Sequence, residues 1–109
     1  LPIDLVLGAD ESLVYEFDVA WAIRGNYDPV KTIAKYGSRV RAAHIKDIAP
    51  AGQNADEDGW ADIGQGTVPW ADLLAALRKG GTTWFVAEHD NPKDHKRFAS
   101  RSLAALKAM

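Results

Sequence analysis

The chain has 109 residues, enough for one small domain with a modest core, and its apolar and charged fractions are those of ordinary globular proteins. Thirteen basic against fifteen acidic residues give a net charge of -2, without the basic excess typical of nucleic-acid-binding surfaces. There is no cysteine, which excludes disulfides and thiolate metal sites and fits a cytoplasmic protein, and no apolar run approaches the roughly 20 residues that span a membrane.

Helical and strand patterns alternate along the chain. In chain order, the sequence predicts a helix over residues 1–7, a strand over 13–18, a helix over 29–36, a strand over 40–46, a helix over 69–79, a strand over 84–88 and a helix opened by Asn91-Pro92. Asp28-Pro29 is a cap followed by a first turn, and Gly8, Gly37 and Gly80 act as stop signals. Strands that alternate with helices predict a parallel sheet.

The polar stretch between the second strand and the next helix predicts a long loop. Residues 48–67 are rich in Gly, Asn and Asp, and loops of that length are often functional. Gly64 and Gly66 indicate turns within it, and the acidic run Ala55–Gly59 predicts a solvated segment. The last helix is expected to direct Phe98, Leu103 and Leu106 toward the core.

Each predicted strand ends on polar side chains. Because side chains alternate across a strand, the following sets are expected to share a face: Val14, Glu16 and Asp18; Val40, Ala42, His44 and Lys46; Trp84, Val86 and Glu88. Parallel α/β folds build their sites at the carboxyl ends of the strands, so Asp18, His44 and Glu88 could point into one pocket. Two carboxylates and an imidazole suit Mn²⁺, Mg²⁺, Co²⁺ or Zn²⁺. Taken singly, a strand-end Asp is better explained as a helix cap or turn former, and a strand-end His as a structural residue. Because the three residues end successive strands on the same face, a metal site becomes as good an explanation as these structural roles.

Four blocks of the sequence resemble a known family. YEFDVAWAIRGNYDP, RVRAAHIKDI, IGQGTVPWADLLAAL and WFVAEHDN are similar to successive blocks of the xylose-isomerase-like (β/α)₈ barrels, a group of sugar-phosphate isomerases and epimerases that includes hydroxypyruvate isomerases and inosose dehydratases. The resemblance implies that residues 1–109 form the C-terminal part of a TIM barrel, with about three parallel strands and flanking helices. Such a barrel needs about 250 residues, so this chain could not close one alone.

The resemblance also implies roles for particular residues. The family holds a divalent metal with Glu, Asp, His and Glu from four strands, and Asp18, His44 and Glu88 match the last three. The first glutamate would lie upstream of Leu1, and Glu88 would share the catalytic proton transfer with it. Trp21 stands where many epimerases carry a substrate-binding histidine, which argues against a ketose 3-epimerase. Trp21 is then a sugar-binding wall or a packing residue, and Lys46 a substrate contact or a solvated lysine.

The function implied by the resemblance is a metal-dependent sugar or sugar-phosphate isomerase or epimerase that acts through an enediolate. The isolated chain is expected to have little or no activity, and its expected partners are a complementary N-terminal half-barrel or a second copy of itself, with no nucleic acid and no membrane. Two alternatives stay open, a non-catalytic half-barrel that binds or oligomerises and a dehydratase of inosose type. An endonuclease of the same superfamily is disfavoured, because the chain has only three histidines and no basic surface.

Overall fold

The computed structural model describes all residues from 1 to 109 and contains five helices around two small sheets. In chain order these are α1 (Pro2–Ala9), β1 (Tyr15–Asp18), α2 (Val19–Arg24), α3 (Pro29–Tyr36), β2 (Val40–Ile45), β3 (Asp47–Ile48), β4 (Trp60–Ala61), α4 (Trp70–Gly80), β5 (Trp84–Ala87) and α5 (His95–Ala108). Short 3₁₀ turns cover Gly37–Arg39 and Ala55–Glu57. None of the helices combines the length and apolarity that crossing a membrane requires.

The main sheet has the order β1-β2-β5, and both of its strand pairs are parallel. Asp18 lies beside His44 and His44 beside Val86, so the three strands end at nearly the same level. β1 and β5 each have a strand neighbour on one side only. Three parallel strands with flanking helices and two open edges confirm the expected part of a TIM barrel.

One face of this sheet is covered by helices and forms the core. Phe17, Ala43 and Ile45 point to that side and are fully buried. α4 presents an apolar stripe to them with the three- and four-residue spacing of a buried helix face, Leu73, Leu74 and Leu77. On the opposite face, the Trp84 side chain on β5 is 74% exposed, because no further strands enclose it.

A β-bulge in β2 makes the predicted face of this strand wrong at its first residue. Tyr15 pairs with Val40, but the next residue of β1, Glu16, pairs with Ala42, so Arg41 is an extra residue in β2. Val40 therefore turns to the helix side and is fully buried, instead of sharing a face with Ala42 and His44. The predicted face holds from Ala42 onward, which includes the polar strand end.

Two helices also differ from the prediction. α2 follows β1 without a loop and was missed, because its six residues are too short to show a helical period. α5 begins at His95, three residues later than Pro92, since the Asp94 carboxylate accepts the backbone N–H groups that cap it. Phe98 and Leu106 pack on the core as expected, but Leu103 is 54% exposed, so its predicted burial is wrong.

The segment predicted as one long loop is partly ordered by Asp47. β3 pairs antiparallel with β4 inside it, and Trp60 and Ile63 are buried. The fully buried Asp47 carboxylate accepts four backbone N–H groups, from residues 48, 64, 66 and 68, at 2.9 to 3.1 Å. Gly66 is required there because a Cβ would overlap that carboxylate. Asp47 therefore fixes the return path of the chain from β3 to α4.

Candidate metal centre

Three of the predicted site residues converge at the carboxyl end of the sheet. Each of Asp18, His44 and Glu88 offers one ligand atom, and these atoms all lie within 4.8 Å of one another. His44 Nδ1 is 3.3 Å from Asp18 Oδ2 and 2.9 Å from Glu88 Oε2. All three side chains are partly buried, so solvent still reaches the cluster.

Asp18 has two tasks at the junction of β1 and α2. Its Oδ1 accepts the Trp21 backbone N–H at 3.0 Å and caps α2, while its Oδ2 faces His44. The two interpretations of this residue, helix cap and cluster member, are thus compatible. Because the cap bond holds one oxygen, the other is kept in a defined direction toward the cluster.

Lys46 is a buried cation at the centre of the carboxylates. Its ammonium lies 3.0 Å from Asp18 Oδ2, 3.3 Å from Glu88 Oε2 and 2.8 Å from Asp90 Oδ1. The residue is 1% exposed, so its alternative interpretation as a solvated strand-end lysine is wrong. Burial alone would lower the Lys46 pKa, but the hydrogen bonds that its ammonium donates to Asp90 and Asp18 outweigh burial and raise the pKa above its ordinary value.

The His44 ring is held by carboxylates at both nitrogens. Besides the contacts of Nδ1, its Nε2 lies 2.9 Å from Glu16 Oε1. Burial alone would lower the His44 pKa, but the hydrogen bond to Glu16 and the negative charge of Glu88, followed by Asp18, raise it above its ordinary value. Without a bound cation, the ring is therefore stabilised as an imidazolium.

An aromatic and cationic wall borders the cluster. The Trp21 indole N–H donates to Asp90 Oδ2 at 3.0 Å, and its ring packs edge-on against the buried Trp60 at 5.1 Å. The Arg24 guanidinium stacks on the Trp60 ring at 3.3 Å. Trp21 is 51% exposed, so about half of its surface stays accessible beside Lys46. Burial alone would raise the Asp90 pKa, but the hydrogen bond that Asp90 accepts from Lys46 lowers it below its ordinary value.

The donor set at the strand ends fits a divalent metal ion. Two carboxylate oxygens and one imidazole nitrogen are the ligand types that Mn²⁺, Mg²⁺, Co²⁺ and Zn²⁺ accept, and they already face one point. Three protein ligands leave open positions for a further ligand and for substrate, as catalytic metal sites require.

Sequence analysis missed two members of the site and misjudged a second acidic group. Asp90 was not identified as a site residue, and Glu16 was placed on the correct face without a role. Their positions, two residues from Glu88 and Asp18, were the available signal. The run 55–59 is not wholly solvated, because the buried Glu57 pairs with Arg97 at 2.6 Å. The Arg97 hydrogen bond lowers the Glu57 pKa, and the pair ties the acidic run to α5.

Comparisons with known proteins agree with this architecture. Residues 3–109 match the family model described as xylose isomerase-like TIM barrel. One solved structure, a sugar phosphate isomerase/epimerase from Parabacteroides distasonis ATCC 8503, superposes with a TM-score of 0.67 at 24% identity, over 87% of this chain and 30% of that one. A second structure of the same description and organism gives a TM-score of 0.59 at 22% identity, with the same coverage. The chain thus spans about 30% of their length, and no curated protein matches it.

Proposed function

Since this chain belongs to the xylose isomerase-like TIM barrel family, we propose that it supplies most of the metal centre of a divalent-metal-dependent sugar isomerase or epimerase. The observation that carries the proposal is the convergence of Asp18, His44 and Glu88 at the carboxyl end of a parallel sheet. A bound divalent cation would act there as a Lewis acid toward substrate oxygens. The substrate class is a small sugar or sugar derivative.

The side chains around this point can perform the remaining chemistry. Glu88 is partly exposed, and as a carboxylate beside the reacting carbons it would move a proton between neighbouring carbons by way of an enediolate. The Lys46 ammonium is buried and held by Asp18, Glu88 and Asp90, and its positive charge would stabilise negative charge that develops on a nearby substrate oxygen. The exposed part of Trp21 would pack against the apolar face of a sugar ring.

The rest of the barrel would come from a complementary segment. β1 has no strand partner on its outer side, and a cavity of about 440 Å³ lies along that edge, lined by Tyr15, Phe17, Asp18 and Trp21 among others. A further strand at this edge would bury those apolar rings and place a fourth ligand beside Asp18. A complementary half-barrel is therefore the proposed partner, and the 109-residue chain alone is expected to be inactive.

Metal binding is the first test of this proposal. We expect Mn²⁺ or Zn²⁺ to bind the purified chain with one equivalent, and His44→Ala to abolish that binding. The matched control is His95→Ala, because His95 is an exposed histidine at the start of α5 whose side chain makes no hydrogen bond or salt bridge. Equal binding by wild type and His44→Ala would refute the site, since the ion would then be held elsewhere.

Activity of the completed barrel separates the candidate reactions. The chain would be assayed with its complementary half against aldoses, ketoses and inososes, following isomerisation, epimerisation and dehydration separately. The exposed Trp84 side chain on the open sheet also favours a second candidate, a non-catalytic assembly module. Metal-independent self-association without turnover of any sugar, even with the complementary half, would support that candidate against the enzyme.

A further inference from the structure

Glu16 contacts the His44 ring but does not face the point where the ligand atoms of Asp18, His44 and Glu88 meet. It lies two residues before Asp18 on the same strand and reaches the far nitrogen of the His44 ring. Its Oε1 is 2.9 Å from His44 Nε2, whereas Nδ1 faces Asp18 and Glu88. One ring nitrogen, Nε2, therefore contacts the Glu16 carboxylate, and the other, Nδ1, faces the proposed metal site.

These contacts select one tautomer of the neutral His44 imidazole. A neutral histidine carries one N–H and one lone pair, and the neighbour that accepts the N–H decides which nitrogen keeps it. The Glu16 carboxylate accepts the N–H of Nε2, which leaves Nδ1 as the nitrogen that supplies a lone pair when a cation is bound. The lone pair then points between Asp18 Oδ2 and Glu88 Oε2, where a cation would be bound.

We propose that Glu16 is a positioning residue of the metal centre, which orients the His44 ring and holds it in the form that binds metal through Nδ1. The inference rests on the proposed metal site and names the side chain that prepares it. Carboxylates that accept the free N–H of a ligating histidine raise its basicity, and their removal typically weakens metal binding by about 10–100-fold.

The exposure of Glu16 distinguishes this role from a structural one. Its side chain is 58% exposed, and an exposed carboxylate–imidazole pair contributes little to folding stability. Loss of Glu16 should therefore weaken metal binding while leaving the denaturant midpoint of the metal-free chain almost unchanged. A residue that merely supported the fold would move the midpoint as well.

The test uses the 109-residue chain and Zn²⁺ as the probe, with affinities from calorimetry. Glu16→Leu removes the acceptor and should weaken the Zn²⁺ affinity about 10–100-fold. Glu16→Gln keeps an acceptor oxygen, so its Zn²⁺ affinity should lie between those of Glu16→Leu and wild type. Glu11→Leu and Glu11→Gln are the matched controls, because Glu11 is exposed and makes no side-chain hydrogen bond. Imidazole ¹⁵N spectra, with His44 assigned by His44→Ala, should show Zn²⁺ on Nδ1 and the proton on Nε2.

Three results overturn the inference, and each differs from failure of the proposed function. Affinity of Glu16→Leu within about twofold of wild type, while His44→Ala loses binding, would leave the metal site standing without this role. Zn²⁺ on Nε2, together with a Glu16→Leu loss as large as that of His44→Ala, would make Glu16 a ligand instead. A lower midpoint for metal-free Glu16→Leu would make its role structural. If wild type binds Zn²⁺ no better than His44→Ala, the proposed function fails first.

Discussion

The Asp47 side chain accepts four hydrogen bonds in the connection between β3 and α4, so its removal should strongly lower the free energy of unfolding. The carboxylate is completely buried and accepts backbone N–H groups from Ile48, Gly64, Gly66 and Val68. In Asp47→Ala these four donors lose their partner together. The Val68 N–H is buried and stays unpaired, whereas water can reach those of Gly64 and Gly66, which are only partly buried.

The expected loss follows from these contacts. A hydrogen bond to a charged acceptor contributes about 1.5–3 kcal/mol, and a buried donor without a partner costs about 1–3 kcal/mol. Because the four bonds share one carboxylate and water replaces part of them, we expect about 3–5 kcal/mol rather than their full sum. Asp47→Asn keeps one acceptor oxygen but turns an NH₂ group toward backbone donors, so about 2–4 kcal/mol is expected. A domain of this size has about 5–15 kcal/mol in all.

Urea unfolding followed by tryptophan fluorescence would measure this loss. The buried Trp60 lies in the segment that Asp47 orders, so its exposure on unfolding contributes to the signal. Asp72→Ala is the control, because Asp72 is exposed in the first turn of α4 and should cost no more than about 1 kcal/mol. Unfolding of Asp47→Ala within about 1 kcal/mol of wild type would refute the reasoning, since the four N–H groups would then be satisfied equally well by solvent.

Three further predictions concern the same framework. Gly66→Ala should destabilise the fold by about 1–3 kcal/mol, because its Cβ would overlap the Asp47 carboxylate, and denaturant titration would detect the shift. Asp94→Ala should cost about 0.5–2 kcal/mol through loss of the α5 cap, measurable by thermal melting followed by helical circular dichroism. Arg97 lowers the Glu57 pKa in the fold, so the stabilisation by this pair is present above about pH 4.5, the ordinary glutamate value, and is lost as the pH falls from there through the lowered pKa. Arg97→Gln should make the free energy of unfolding depend less on pH in this acid range.

Local signals were sufficient for the elements that position the site. The Asp28-Pro29 start and the Gly37 stop predicted α3 at the bounds it has, because a cap, a fixed φ and a flexible glycine act within one turn. The polar strand ends predicted the convergence of Asp18 and His44, because alternation and parallel pairing suffice to align them.

The parts that could not be predicted depend on contacts distant in sequence. The bulge at Arg41 is a property of the pairing between two strands, and neither strand alone shows it. Asp90 joins the site through Lys46 and Trp21, which lie 44 and 69 residues away. The burial of Lys46 likewise requires Trp60, whose place follows from the fold of the segment behind β3.

The charges at the sheet edge indicate what this site can accept. Four carboxylates, those of Glu16, Asp18, Glu88 and Asp90, converge on one ammonium and one imidazole. When the imidazole is neutral, three negative charges remain, and a divalent cation reduces them to one. Like charges this close raise one another's energy, so the cluster favours a cation over any anionic group. If the proposed enzyme acts on a sugar phosphate, we therefore expect the neutral polyol segment, and not the phosphate, to lie at this edge.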